Sequence, residues 1–308
     1  MASPGITPRL SLYEAQSQNR VRTVLLLVGF TAVVLLLGWV FGEVLGGRGA
    51  GIAILPFALG LSLVLSAGSY FAGDSLVLAQ SSARELRPDE EKVLRDVVET
   101  LAVGLGIPAP KLYVIEDPAP NAFATGRDPR HASVAVTRGL LEKMDRTELE
   151  GVIAHELSHV GNRDIRVMLL VTVLVGTVAL LSDFLLRSMF WGGRGNRDRS
   201  GGGAIFVIVG LVLAILTPII ATLIQFAVSR QREYLADASG AFLTRYPAGL
   251  ASALRKIAAD TNVLQVANKA TASLYIANPL HDHPFQFDSL FDTHPPIAER
   301  IRRLEAMG

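Results

Sequence analysis

The sequence predicts a mainly α-helical protein with a small β-sheet, an α+β arrangement combined with up to four transmembrane helices. Three observations point there. Four apolar stretches, Val21 to Phe41, Gly51 to Ala72, Met168 to Met189 and Ala204 to Val228, each reach the roughly 20 residues that a helix needs to cross a bilayer. Between the second and third, the segment from Asp89 to Leu105 carries Val93, Val97, Leu101 and Leu105 at helical spacing. Lys111 to Ile115 and Ser133 to Thr137 then alternate like strands, and Asn121 to Gly126 reads as a third strand at the sheet edge.

In chain order, residues 1–20 form a tail and residues 21–72 a transmembrane hairpin. Its first stretch follows Arg20 and Arg22 and lacks a small-residue cleavage site, so it reads as a retained signal anchor. Pro56 and Pro218 lie inside the second and fourth stretches, where a membrane helix tolerates a bend. Residues 73–167 have the mixed patterning of a folded segment. Residues 168–228 form a second apolar hairpin around a glycine- and arginine-rich loop from Gly192 to Gly203. Residues 229–308 read as mostly helical, with breaks at Pro247, Pro279, Pro284 and the Pro295-Pro296 pair. Basic residues near the span ends, among them Arg20, Arg22, Arg84, Arg87, Arg163 and Arg166, favour a cytoplasmic N-terminus. Arg187, Arg194, Arg197 and Arg199 crowd the opposite side, leaving open whether the second hairpin fully crosses or only enters the bilayer.

Half of the residues are hydrophobic and the formal net charge is +1, with no long run of like charges, so the lipid bilayer is the expected partner and nucleic acid is not. The absence of cysteine removes disulfides, thiolate metal sites and thiol nucleophiles. Any metal must therefore be held by the six histidines and the carboxylates.

The most informative segment is Val152-Ile-Ala-His155-Glu156-Leu-Ser-His159-Val160. Asp145 and Glu148, three apart at its head, can form a capping box, and Leu149, Val152 and Ile153 supply a buried stripe, so a helix is expected. One helical turn separates His155 from His159 and points both imidazoles the same way, the arrangement that grips one Zn²⁺. Glu156, beside the first ligand, is placed to take a proton from the attacking water. A catalytic zinc usually has three protein ligands. Arg232-Glu233-Tyr-Leu-Ala-Asp237 offers two carboxylates one turn apart: Glu233 is assigned to the metal, and Asp237 to the free ring nitrogen of a ligand histidine. The competing view is an exposed Glu233 paired with Arg230 or Arg232.

These motifs, with Pro120-Asn121-Ala-Phe-Ala-Thr-Gly126 upstream and Thr293-His294-Pro-Pro-Ile-Ala-Glu-Arg300 near the end, resemble the HtpX-type membrane metalloproteases, relatives of the CAAX prenyl endopeptidases. The likeness extends over essentially the whole chain. It implies a gluzincin-type catalytic domain, a bacterial-type inner membrane location with the active site facing the cytoplasm, and quality-control cleavage of misfolded or membrane proteins. It also implies that Asn121 aligns substrate while Ala122, Phe123 and Ala124 pair with its extended backbone, and that His294 and Arg300 donate to the oxyanion. A turn asparagine and a helix-capping histidine are the plainer readings of Asn121 and His294. His131, His281 and His283 are expected to face solvent.

The expected reaction is hydrolysis of a peptide bond by metal-activated water with Glu156 as general base. A metal transporter would place ionisable groups inside its spans, yet apart from Arg22 and Arg187 close to their ends the four stretches hold only Asp183. An inactive membrane scaffold would typically have lost Glu156 or a ligand. A prenyl-protein peptidase is the alternative within the enzyme class, and that branch generally has more spans.

Overall fold

The computed structural model describes residues 12–46, 48–174, 176–177, 230–265, 271–277 and 295–308. Two long helices open the chain, α1 (Leu12–Gly46) and α2 (Ala50–Gln80), packed against each other as an antiparallel hairpin. Both satisfy the length and hydropathy of a membrane span, over Ser17–Val40 and Ala50–Gln80. Much of their surface is apolar and exposed, including Val24, Leu25, Val28, Phe57, Leu63 and Val64, which is what a lipid-facing hairpin presents. The Glu43 carboxylate accepts from the backbone N–H groups of Gly49 and Gly51 and ties the tight connection. Of the second apolar hairpin, 168–174 and 176–177 are described; the other residues of the third and fourth stretches lie outside the described residues.

Past the hairpin come β1 (Arg84–Glu85), α3 (Lys92–Leu105), β2 (Lys111–Ile115), β3 (Ala122–Gly126), β4 (Ala132–Thr137), α4 (Arg138–Lys143) and α5 (Arg146–Gly161). The sheet runs β1-β2-β4-β3, with β2 parallel to β4 and both outer strands antiparallel to their neighbours. β3 is an edge strand, as expected, whereas the two-residue β1 has no alternation to announce it. Helix α3 buries Leu94, Val97, Val98, Leu101 and Ala102, so its inward face is turned from the expected stripe and leaves Val93 exposed. A 3.6-residue period drifts along any fixed i, i+4 row, and the row through Leu94 and Val98 completes the face.

Helix α5 begins with both halves of the capping box: the Asp145 carboxylate accepts from the Glu148 N–H at 2.9 Å, and the Glu148 carboxylate accepts from the Asp145 N–H at 2.9 Å. Its residues from Val152 to Val160 are all buried, since α3, β3, α7 (Arg230–Thr244) and α8 (Pro247–Ala259) surround it. Helix α6 (164–174) follows after a short turn and is buried beside the hairpin, with Leu170 and Leu174 against Phe30, Val33 and Val34. The chain closes with α9 (Ile297–Glu305), packed on α8.

Candidate active site

The site forms where α5, α7 and α9 meet in the main core. His155, Glu156 and His159 sit on α5, each no more than 4% exposed. Helix α7 approaches closely because Gly240 faces α5: a Cβ there would lie 3.0 Å from the His155 backbone nitrogen. This brings Glu233 and Asp237, one turn apart on α7 and both buried, over the two imidazoles. Candidate ligand atoms of His155, His159 and Glu233 all lie within 4.8 Å of one another. The two Nε2 atoms are 3.2 Å apart, His159 Nε2 is 3.5 Å from Glu233 Oε1, and His155 Nε2 is 3.8 Å from Glu233 Oε2. Ligands bonded to one ion at about 2.0–2.1 Å in tetrahedral geometry stand about 3.3 Å from each other, so this donor set fits a small divalent metal.

Each histidine presents Nε2 to this point because its Nδ1 is committed elsewhere. His155 Nδ1 lies 2.9 Å from Asp237 Oδ1, and His159 Nδ1 lies 3.1 Å from Asp164 Oδ2. Asp164 has no counterpart in the reading of the sequence. Arg163, with φ at 61°, turns the chain at the end of α5 so that the carboxylate five residues beyond His159 faces back onto its ring. Asking what orients each ligand histidine would have singled out this nearby acid, because a metal-binding imidazole usually donates its other N–H to a carboxylate.

Burial, reinforced by the nearby Arg300 cation, pushes His155 down to about 4 against the pull of Asp237. For His159 burial acts in the same sense but is outweighed by the Asp164 hydrogen bond and by Glu233, which hold the ring up at about 9. With Nδ1 of each ring facing a carboxylate, both Nε2 atoms are left turned toward each other at 3.2 Å. Burial, with Glu233 adding to it, also pushes Glu156 up to about 7, while the His159 charge and, more weakly, the Ala124 backbone oppose the shift.

The remaining expected site residues divide. Arg300 is fully buried, and its Nε and Nη2 donate to Asp237 Oδ2 and Oδ1 at 2.9 and 2.7 Å while Nη1 donates to the Ile276 carbonyl at 2.7 Å. It grips Asp237 and the 275–277 segment, and its Nη2 also stands 3.4 Å from the ring nitrogens of His155. Asn121 is also buried and internally tied: its amide donates to the Ala277 carbonyl at 3.1 Å and its side-chain oxygen accepts from the Ala122 N–H at 3.0 Å. The Ala122 carbonyl accepts from the Ile276 N–H at 2.9 Å, so the segment that Arg300 anchors meets the β3 edge at Ala122. Phe123 points into a second core, edge-on to Tyr275. Ala124 is buried, in the strand that packs on α5. His294, His281 and His283 lie outside the described residues. His131 is exposed as expected, its Nδ1 2.9 Å from Asp128.

An active-site helix with the His-Glu-x-x-His pattern, a glutamate from a later helix closing over it and a long apolar hairpin together define a metallopeptidase associated with a membrane. A family comparison agrees: residues 88–308 match the model of Peptidase family M48, and the chain belongs to that family. It is 46% identical over 302 residues to "Protease HtpX homolog" of Thermoanaerobacter pseudethanolicus, covering 97% of this chain and 99% of the relative. The protein of the same name in Listeria monocytogenes serotype 4a is 45% identical over 96% of this chain and 100% of its own length. Among solved structures, S. mikatae Ste24p is similar, with a TM-score of 0.48 and 20% identity over 95% of this chain and 67% of that one. As a peptidase the chain acts on peptide or protein substrates.

Proposed function

We propose that the chain is a zinc endopeptidase of a bacterial-type inner membrane, with its active site facing the cytoplasm, that hydrolyses misfolded or membrane proteins in quality control. The observation that carries the reading is the convergence of His155, His159 and Glu233 on one point beside the buried carboxyl of Glu156. Two imidazoles and one carboxylate, without sulfur, suit zinc kept open for catalysis. When bound, zinc would polarise the scissile carbonyl and ease deprotonation of the attacking water.

Glu156 takes the proton of that water, and the water oxygen forms the new bond to the carbonyl carbon. Glu156 then returns the proton to the amine as the C–N bond breaks. A carboxyl poised near neutrality suits both halves of this exchange. Asp237 and Asp164 face the two Nδ1 atoms and leave Nε2 of each ring turned to the metal, and Arg300 fixes Asp237. The orientation is supported by the placement of the site beside Asn19 of α1, on the side where Arg20, Arg22, Arg84, Arg87, Arg163 and Arg166 gather. The quality-control role rests on the likeness to proteins named protease HtpX homolog.

The test is cleavage of an unfolded casein-like protein by detergent-purified, chelator-stripped chain, with and without stoichiometric zinc, beside Glu156→Gln. Zinc restores cleavage to the native chain, while Glu156→Gln retains zinc and loses turnover by about 100-fold or more. Near-native turnover of the variant would refute the assignment of the base.

A further inference from the structure

On the reading of His155, His159 and Glu233 as metal ligands, we infer that Asn19 is a positioning residue of the metal site, so that the head of the first apolar helix belongs to the catalytic centre. Asn19 is 4% exposed, and its amide donates to Asp164 Oδ1 at 2.7 Å and to the Asn162 carbonyl at 3.1 Å. Both acceptors lie in the turn that follows the second ligand histidine. Within that turn the two oxygens of Asp164 have separate tasks: Oδ2 faces His159 Nδ1, and Oδ1 is held by Asn19 with Arg232 Nη1 at 3.8 Å.

A carboxylate pinned at one oxygen cannot rotate away from the ring at the other. Without the Asn19 amide, Oδ1 still faces Arg232 Nη1 at 3.8 Å, whose charge draws the carboxylate toward α7 and away from His159. The His159 ring then loses the partner that fixes its Nδ1–H tautomer and the direction of its Nε2 lone pair. A buried amide is costly unless its hydrogen bonds are made, and both bonds here go to one turn of the metal site. Residue 19 stands well before residue 88, where the family match begins, so the peptidase segment alone lacks this support.

The experiment uses the full chain in detergent, stripped of metal and titrated with Co²⁺, whose visible bands report ligand geometry. Asn19→Leu keeps the volume and removes the donor; Thr23→Val, one turn along the same buried face with its hydroxyl bonded to its own helix, controls for repacking of α1. Asn19→Leu is expected to bind Co²⁺ about tenfold more weakly, with shifted bands, while Thr23→Val matches the native chain. If the leucine variant does not yield folded protein, Asn19→Ala is read in its place. Equal affinity and bands in native and Asn19 variants overturn the inference alone. A native chain that binds Co²⁺ no better than His155→Ala overturns the metal assignment and this inference with it.

Discussion

Replacing Arg300 by methionine tests how the buried charges of the site are balanced. The guanidinium is fully buried, donates twice to Asp237 and once to the Ile276 carbonyl, stands 3.4 Å from the His155 ring nitrogens and lies 3.8 Å from Glu233. Burial alone would push the Asp237 carboxyl up, yet the Arg300 cation beside it brings it down to about 2. Methionine fills much of the space but strands that charge beside His155. Breaking a buried, hydrogen-bonded pair from one side costs about 3–5 kcal/mol. For a folded unit of this size the loss corresponds to a fall of roughly 6–20 °C in apparent melting temperature. The assay is thermal unfolding of the metal-free chain in one detergent for the native protein, Arg300→Met, Asp237→Leu, and both together. The double variant should melt above Arg300→Met, because removing Asp237 also removes the stranded charge. Arg300→Lys should fall between, since an ammonium cannot hold both Asp237 oxygens and Ile276 in the same fork geometry. An Arg300→Met protein that melts like the native chain, or a double variant no more stable than the single, refutes the reasoning.

Three further outcomes are expected. Asp164→Ala should weaken zinc or Co²⁺ affinity about 10- to 100-fold, measured by competition with a chromogenic chelator, and an unchanged constant would remove Asp164 from the site. Gly151→Ala should lower the melting temperature: a Cβ there stands 2.6 Å from the Leu250 backbone nitrogen, and overpacking of about 1–3 kcal/mol outweighs the helix propensity gained. Glu148 should contribute to an acid limb of stability. Burial opposes its ionisation, but Lys256, the Asp145 N–H and Ser252 donate to it and hold its carboxyl below the ordinary value of 4.5. Its contribution is therefore present above pH 4.5 and is lost as the pH falls through the lowered folded value. Glu148→Gln should flatten the melting temperature's fall below that pH, and an unaltered slope would assign the acid limb to other groups.

What the sequence determined by itself is what depends on near neighbours. His155 and His159 share a face because one helical turn separates them, and the same rule joins Glu233 to Asp237. The capping box at Asp145 and Glu148 is a three-residue relation, and the first hairpin is legible as a run of apolar residues. The inward face of α3 was legible only approximately, because one i, i+4 row is part of a wider stripe. The two-residue β1 carried no period at all.

Only the tertiary structure decided how the distant pieces divide their work. Asp237 serves His155 from another helix, whereas His159 is served by Asp164, a residue near in sequence but aimed by the turn at Arg163. Arg300 donates to Asp237 and Ile276, and Ile276 meets the edge of β3 at Ala122. Asn19 reaches Asp164 across 145 positions of chain. A side chain's periodicity states which face it occupies, but its hydrogen-bond partner depends on where a remote segment returns. In a buried site each polar group must find such a partner, so the packing of whole helices, rather than local spacing, assigns the roles.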